Sequence, residues 1–381
     1  MPAWVRTLVA VTVLSVAVPL LAGCGSSAGG SATAGELPFK LTDAGCEPHD
    51  ATSHAGPIQF EIENGGSQRV TEFEVLEGES VLGAREDVTE GTSGSFSLTL
   101  EAGKYTLRCS GGSEEDGILE VTGRSPSKAG PEVERAVAEY RKYLERNTAE
   151  LIEDTRPFVE AVAAGKLEQA KELYVDPRVN YERIEPVAET FGNLGPRIDA
   201  REDEVAKSEF GGFHRIEKAL WREGTAAGMK PIADGLQADV EELQKEVKAA
   251  KLQAVQIAND TKEPLTEILK TLSSPNAEGE EERYSHLDLV DFKASIEGSH
   301  EAFEVVKPLL EKSKPALAKE IEGDFEAAYA SLRPYERSAP PGFIYYGKLT
   351  KADTRKLSEV IEALAGRLSF VPAQIAKAEL G

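Results

Sequence analysis

The sequence is poor in the residue types that build soft metal sites and nucleic-acid-binding surfaces. It contains three cysteines and two methionines in 381 residues. Its 43 Lys and Arg residues are outnumbered by 66 Asp and Glu residues, which gives a formal net charge of −23 at pH 7. Because this charge repels nucleic-acid phosphates and anionic lipid headgroups, neither is an expected partner. The length allows two or three folded domains.

The beginning of the chain lacks an apolar run long enough to span a membrane. Its apolar run covers residues 8–21, follows Arg6 and is succeeded by small residues. This pattern is typical of a secretory signal peptide, here residues 1–23, rather than of a transmembrane helix.

The signal pattern ends in LAGC, residues 21–24, which resembles a bacterial lipobox. The resemblance implies cleavage before Cys24, lipidation of its sulfur, and a flexible Gly- and Ser-rich tether over residues 24–35. We therefore expect a lipoprotein outside the cytoplasmic membrane, held to that membrane by its lipid only. A soluble secreted protein with an unmodified Cys24 is the alternative. In either case Cys46 and Cys109 remain in an oxidising compartment, where one disulfide is the simplest expectation.

Residues 36–124 show the alternation of apolar and polar residues that is typical of β-strands. Ile58, Phe60 and Ile62 alternate with polar residues, and the turn signal NGG follows them. The alternation recurs in SFSLTLEAGKYTLRC, residues 95–109. Several short strands at this spacing predict a small antiparallel β-sandwich.

The remainder, residues 131–381, carries no strand pattern and is predicted to be an all-α helical bundle. A Gly-, Pro- and Ser-rich linker, residues 125–130, precedes it. Its first helix has an apolar stripe, should kink at Pro157 and should end at Gly165. Further helical patterns cover residues 166–191, 213–223, 231–271, 285–312, 314–333 and 351–378.

The stretch GGFHRIEKALW, residues 211–221, places His214 and Glu217 three residues apart in a helical pattern. Side chains at this spacing are neighbours on a helix, so an imidazole and a carboxylate can face one point. Further acids that a metal site could use are Glu209, shortly before the glycine pair, and Glu182 and Glu185 in YERIEP, which repeat the three-residue spacing. The spacing alone fits both a metal site and a hydrogen-bonded structural histidine.

Several motifs in the same order resemble one known family. GFHRIEKALW is similar to the HxxE signature of imelysin-like proteins. The segments YERIEPVAETFGNLGPRIDARED and EERYSHLDLVDFKASIEGS resemble the EfeO-type iron-uptake lipoproteins. The resemblance covers nearly the whole mature chain. It implies a cupredoxin-like domain, residues 36–124, joined to an imelysin-like helical domain, residues 131–381.

The resemblance also implies a metal site in the helical domain. Its ligands would be one imidazole and three carboxylates, from His214, Glu217, Glu209 and Glu182. Nitrogen and oxygen ligands suit iron, and also zinc or manganese, and the family favours iron as Fe²⁺ or Fe³⁺. Secondary candidates are the pairs His286 with Glu282 and Asp288 with Asp291. The loop histidines His49 and His54, and His300, have no distinguishing context.

In the β-domain, the family implies a copper or ferric-iron site. Its ligands would be two cysteines and two glutamates, Cys46, Glu72, Glu74 and Cys109. A blue-copper centre is not expected, because it uses two histidines, one cysteine and an axial methionine, and no histidine closely follows Cys109. A disulfide with two solvated glutamates is the alternative, and the residues do not decide between the two.

Imelysin-like domains have also been classed as metallopeptidases. Zinc peptidases commonly carry HExxH, or the inverted HxxEH, on one helix. Here Lys218 follows Glu217 where HxxEH requires a second histidine, and HExxH occurs nowhere in the chain. We therefore expect capture of iron and its delivery to a membrane permease, with a metallopeptidase as the alternative. The family implies a ferric permease and a haem peroxidase as partners.

Overall fold

The computed structural model describes residues 35–78, 80–86, 88–124, 130–274 and 280–379. The predicted signal peptide, Cys24 and all but the last residue of the tether lie outside the described residues, as do residues 125–129 of the linker. Within the described part of the chain, no helix combines the length and the apolar character that crossing a membrane requires.

The described residues form nine strands between residues 35 and 122. The strands are β1 (Gly35–Thr42), β2 (Gly45–Glu47), β3 (Ala51–His54), β4 (Gly56–Asn64), β5 (Phe73–Glu77), β6 (Ser80–Arg85), β7 (Ser93–Leu100), β8 (Gly103–Arg108) and β9 (Asp116–Thr122). One sheet has the order β2-β1-β4-β7, and the other has the order β3-β9-β8-β5-β6.

The two sheets share one hydrophobic core. The predicted alternation in β4 is confirmed, because Ile58, Phe60 and Ile62 are all buried. The ring of Phe60 lies 5.0 Å from that of Phe96 in its own sheet and 6.0 Å from that of Phe73 in the opposite sheet. Aromatic side chains therefore fill the space between the two sheets of the sandwich.

The prediction of a purely antiparallel sandwich is wrong at two strand pairs. β1 runs parallel to β4, with Phe39 opposite Ile62, and β3 runs parallel to β9. Between β1 and β4 the chain passes through β2 and β3, and this detour lets β4 return beside β1 in the same direction. Alternation of side chains reports which face is buried and carries no information on strand direction.

The described residues from 131 onwards form thirteen α-helices. They are α1 (Pro131–Ala163), α2 (Leu167–Leu173), α3 (Val175–Glu182), α4 (Glu185–Ala188), α5 (Leu194–Asp199), α6 (Gly212–Glu217), α7 (Lys230–Ala249), α8 (Ala254–Asp260), α9 (Glu263–Ser273), α10 (Asp288–Ser313), α11 (Pro315–Leu332), α12 (Lys351–Leu368) and α13 (Val371–Glu379). A π-helical turn, Lys218–Glu223, directly follows α6.

The predicted end of α1 at Gly165 is confirmed. Gly165 has a φ of 71°, which favours glycine. Its N–H donates to the carbonyl of Val162, and the N–H of Lys166 donates to the carbonyl of Ala161. These two bonds make up a Schellman motif, which satisfies carbonyls at the helix end. Pro157 lies inside α1 without ending it.

The single helical pattern predicted over residues 231–271 is three helices, α7, α8 and α9. The chain leaves the helix at Ala250, and Gln253 then begins α8 through a capping box with Gln256. A proline in the first turn of α9 marks the next restart, at a position where its missing N–H costs nothing.

The described residues form one compact unit, so the sandwich and the helices are in direct contact. The contact is made chiefly by β7 and β6 against α8 and α13. The side-chain amide of Asn259 donates to the carbonyl of Ser97 at 2.8 Å, and that of Gln256 donates to the carbonyl of Leu82 at 2.8 Å. These bonds attach α8 to the edges of both sheets.

Candidate metal centre

The candidate centre lies where α3, α5, α6, α10 and the segment before α10 meet. The glycine pair at its start explains how α6 reaches α5. Gly212 has a φ of +60°, and a Cβ built on it would lie 2.0 Å from the carbonyl oxygen of Ile198. Only glycine allows this approach, which places His214 beside Asp199 at the end of α5.

His214 is 2% exposed and has a carboxylate on each side of its ring. Its Nδ1 lies 3.3 Å from Oε2 of Glu217, one helical turn away. Its Nε2 lies 3.0 Å from Oε1 of Glu281 and 3.5 Å from Oδ1 of Asp199. The predicted meeting of His214 and Glu217 on one face of a helix is therefore confirmed.

On the Nδ1 side of His214, the carboxylates are already held by protein donors. Oε1 of Glu217 accepts backbone N–H bonds from Tyr284 and Ser285, at 2.8 and 2.7 Å. Glu282 accepts the hydroxyl of Tyr174 at 2.8 Å and the hydroxyl of Ser285. The side chains of Glu217 and Glu282 are fully buried. This side is closed to solvent, and its carboxylates already have partners.

On the Nε2 side, the geometry is more open. Ligand atoms of Asp199, His214 and Glu281 all lie within 4.8 Å of one another. Oε2 of Glu281 accepts a hydrogen bond from Arg201 at 2.6 Å, which leaves Oε1 directed at the imidazole. The side chain of Glu281 is 16% exposed, so it offers a solvent-accessible approach to an otherwise buried group.

The electrostatics of the centre are set by burial and by opposite charges. Burial on its own lowers the pKa of His214, but the carboxylates of Asp199, Glu217 and Glu281 outweigh it and raise that pKa well above its ordinary value. Burial raises the pKa of Glu281, yet Arg201 and His214 outweigh it and lower that pKa far below the usual range. Both shifts favour the charged forms, an imidazolium at His214 and a carboxylate at Glu281.

A second layer of charge surrounds Arg178, whose side chain is 1% exposed. Its guanidinium contacts four carboxylates, those of Glu182, Asp199, Glu282 and Asp291. Burial raises the pKa of Glu182 to about 7, although Arg178 opposes the shift. Ligand atoms of Glu182, Glu185 and Asp199 form a further group within 4.8 Å of one another. Glu182, predicted as a ligand, thus lies in this layer.

Glu209, also predicted as a ligand, is not brought to the centre. Its side chain is exposed, in a turn in which its own N–H donates to the carbonyl of Ala206. Among the described residues, none of the groups able to hold an ion includes Glu209. Glu209 lies outside α6, which begins at Gly212, and its side chain faces solvent, whereas His214 is buried.

In the β-domain, Cys46 and Cys109 form a disulfide, so neither thiolate is available to a metal. Glu72 and Glu74 both line a cavity of about 730 Å³ between the sandwich and the helices. Burial raises the pKa of Glu74, with Arg108 opposing it. The four residues predicted as a second metal site therefore divide into a core disulfide and two glutamates at a cleft.

The secondary candidates have other partners. The imidazole of His286 contacts Glu280 (Nδ1 to Oε2, 2.5 Å), and only the backbone N–H of His286 bonds Glu282, at its carbonyl. Asp288 accepts the N–H of Glu282 at 3.3 Å, and Asp291 belongs to the layer around Arg178. His300 stacks on Phe325, His49 contacts Asp50, and His54 is exposed.

The sequence reasoning missed Asp199, Glu281 and Arg178. Asp199 and Glu281 both lie in segments that carry the family resemblance, IDARED and EERYSHLD. Nothing in their spacing connects them to His214, because Glu281 lies 67 residues further along the chain. Only the resemblance of those segments could have drawn attention to them.

Comparisons with known proteins place the chain in a family. A family model described as "Peptidase_M75: Imelysin" matches residues 136–370. The iron uptake system component EfeO of Escherichia coli K12 is 36% identical over 343 residues, which cover 88% of this chain and 90% of that protein. The EfeO proteins of Shigella flexneri and of Escherichia coli O1:K1 are also 36% identical, the latter over 89% of this chain and 92% of that protein. The chain therefore belongs to the imelysin family and is an EfeO-type protein.

Proposed function

We propose that this protein is an extracytoplasmic iron-binding lipoprotein that captures iron at His214 and delivers it to a membrane permease. The observation that carries the proposal is the buried imidazole with carboxylates of Asp199 and Glu281 within 4.8 Å. Relatives that are 36% identical over nearly their whole length are named as components of an iron uptake system. Carboxylate and imidazole ligands suit iron in either common oxidation state, with zinc as the alternative ion.

We assign the cation to the Nε2 side of His214, with Asp199 and Glu281 as its other protein ligands. Oε1 of Glu281 faces Nε2 there, and its side chain is partly exposed. Glu217 then accepts a hydrogen bond from Nδ1–H and fixes the orientation of the ring, and its own position is fixed by two backbone N–H groups. Carboxylates commonly support metal-bound histidines in this way. Glu182 contacts the ligand set from the next layer.

Capture exchanges a proton for a metal ion. Three carboxylates raise the pKa of His214, which favours the protonated imidazole when no cation is bound. A cation that binds Nε2 must displace that proton, so binding releases a proton and its affinity falls as the pH falls. This is binding and transfer rather than turnover of a substrate.

The location and the partners belong to the same proposal. Cys24 would carry the lipid, and the tether up to residue 35 would place the folded part near the membrane surface. A ferric permease would receive the iron, and a haem peroxidase would act in the same system. The cupredoxin-like class of the sandwich stays a prediction. With Cys46 and Cys109 joined, only Glu72 and Glu74 remain of the four ligands predicted for a copper or ferric site there.

The proposal is tested by metal content and calorimetry of the purified mature protein. Fe²⁺ under anaerobic conditions, Fe³⁺ supplied as citrate, and Zn²⁺ are titrated into the wild type and into His214→Ala. We expect one strong site in the wild type and its loss in His214→Ala. His300→Ala is the matched control, because His300 stacks on Phe325 away from the centre and should leave binding unchanged. Equal binding by the wild type and His214→Ala would overturn the proposal.

The family model also bears the name of a peptidase, so hydrolysis is the second candidate function. Incubation of the metal-loaded protein with casein tests it directly. Cleavage that disappears in His214→Ala and persists in His300→Ala would establish a metallopeptidase. In the structure Lys218, which stands in place of a second histidine, pairs with Glu202 at 2.5 Å. We therefore expect no cleavage.

A further inference from the structure

Arg178, on α3, is a buried cation beside the proposed iron site, and the proposed capture reaction does not use it. Its guanidinium carbon lies 5.4 Å from the ring centroid of Phe213 and 5.9 Å from that of Tyr181. Both rings are buried, so water does not screen the charge of Arg178. An arginine in such surroundings is stable only if carboxylates compensate it.

The compensating carboxylates come from four separate parts of the chain. Glu182 lies on α3 itself, Asp199 ends α5, Glu282 precedes α10, and Asp291 is in the first turn of α10. The guanidinium lies 3.1 Å from Oε1 of Glu282 and 3.3 Å from Oδ2 of Asp291, and it hydrogen-bonds Glu182 and Asp199. One side chain thus holds together the elements that form the site.

Arg178 and the proposed cation share a ligand. Oδ1 of Asp199 accepts from Arg178 and is also the atom 3.5 Å from Nε2 of His214. The Nε of Arg178 makes no hydrogen bond in the described structure, although Glu282 is close, so the guanidinium is not fully satisfied. A metal ion that binds Asp199 therefore competes with Arg178 for the same oxygen.

We propose that Arg178 is the resident counter-ion of the iron site. It neutralises the buried carboxylates when no cation is bound, and its ion pair with Asp199 breaks when the cation binds. Its positive charge then weakens the hold on the cation, which keeps the ion transferable to a partner. This inference rests on the proposed function, because the cation is the cargo of that same site.

A counter-ion role and a merely structural role predict opposite changes in cation affinity when the charge of Arg178 is removed. Removing a charge several ångströms from a divalent cation, at an effective dielectric constant of about 20, changes the affinity by roughly tenfold or more. If Arg178 is a counter-ion, Arg178→Met binds the cation at least about tenfold more tightly. If Arg178 only holds the carboxylates in position, Arg178→Met binds the cation more weakly.

The experiment titrates Zn²⁺, a redox-inert probe, into the wild type, Arg178→Met and Arg178→Lys, and records melting curves with and without Zn²⁺. We expect Arg178→Met to melt lower without metal, to bind Zn²⁺ more tightly, and to gain more in melting temperature on binding. Arg178→Lys keeps the charge and should bind within about threefold of the wild type. The matched control is Arg183→Met, which removes a partly exposed arginine, 28% exposed and paired with Glu297; because water screens that charge, the affinity should change by less than about threefold.

Equal or weaker binding by Arg178→Met overturns the inference. If Arg178→Met does not fold alone, it is refolded in rising Zn²⁺: recovery at concentrations that do not saturate the wild type supports the inference, and failure at every concentration overturns it. If the wild type binds neither Zn²⁺ nor Fe²⁺, the proposed function has failed and the inference fails with it. If the wild type binds the ion and Arg178→Met binds it more weakly, the proposed function stands and only the inference on Arg178 fails.

Discussion

The glycine pair before His214 permits a sharp test of how the site is built, because a methyl group would meet different surroundings at its two positions. At Gly212, with a φ of +60°, an added Cβ would lie 2.0 Å from the carbonyl oxygen of Ile198 and 2.8 Å from that of Arg197. At Gly211, with a φ of −134°, the nearest atom would be 3.6 Å away, an ordinary contact. Gly211→Ala is thus a matched control for Gly212→Ala.

The magnitude for Gly212→Ala has two parts. Placing alanine in the left-handed region costs about 1–2 kcal/mol. Forcing the methyl group against backbone that cannot rotate away adds about 1–3 kcal/mol, as overpacking does elsewhere. We therefore expect Gly212→Ala to lower the free energy of unfolding by about 2–5 kcal/mol. Gly211→Ala should change it by less than about 1 kcal/mol, because alanine there also restricts the unfolded chain.

Urea unfolding of the metal-free proteins measures this difference, and calorimetry with Zn²⁺ measures its consequence for the site. The clash in Gly212→Ala separates the end of α5 from α6, so Asp199 moves away from His214 and the affinity falls. Gly211→Ala should bind Zn²⁺ as the wild type does. Equal stability and equal affinity of the two variants would refute the claim that the close approach at Gly212 assembles the site.

Three further outcomes follow from the structure. Burial raises the pKa of Glu182 in the folded state to about 7, so the folded protein keeps a proton that the unfolded chain releases above pH 4.5. The free energy of unfolding of the metal-free protein should therefore fall as the pH rises from 5 to 8. In urea unfolding, Glu182→Gln should reduce this pH-dependent loss of unfolding free energy by roughly 3 kcal/mol. A pH dependence equal to that of the wild type would contradict this. Replacing Cys46 and Cys109 by alanine opens a loop with a sequence separation of 63 and should lower the free energy of unfolding by about 4 kcal/mol. An unchanged melting temperature would show that the disulfide is not formed in solution. Glu281→Gln should weaken Zn²⁺ binding at least about tenfold while Glu209→Gln leaves it unchanged, and the reverse order in calorimetry would restore Glu209 as a ligand.

Local periodicity made the fold largely predictable. The two-residue periodicity correctly predicted that Ile58, Phe60 and Ile62 are buried. The helical apolar stripe correctly predicted α1 and its end at Gly165. The breaks around α8 were missed, since a capping box made by Gln253 does not use the usual Ser, Thr, Asp or Asn. The parallel strand pairs were missed because pairing direction depends on the path of the whole chain.

The residues of the site likewise fall into those that local spacing predicts and those that only the fold brings together. His214 and Glu217 were found because a helix places neighbours three residues apart on one face, and their contact of 3.3 Å follows from that geometry. Glu209 was misplaced because closeness along the chain was taken for closeness in space. Asp199 and Glu281 reach His214 through the folding of α5 and of the segment before α10, which no local pattern encodes.

Arg178 is the hardest residue to infer from sequence, for a thermodynamic reason. A charged side chain in a short helix is normally assigned to the surface, because burying it alone is very costly. Its burial is stable only together with several acids, and one of them, Asp291, is 113 residues away. Each of these residues taken singly would be expected at the surface, and only the set is stable inside. Part of the acidic excess that made the chain −23 overall is therefore internal, where it serves the proposed binding of a cation rather than solubility.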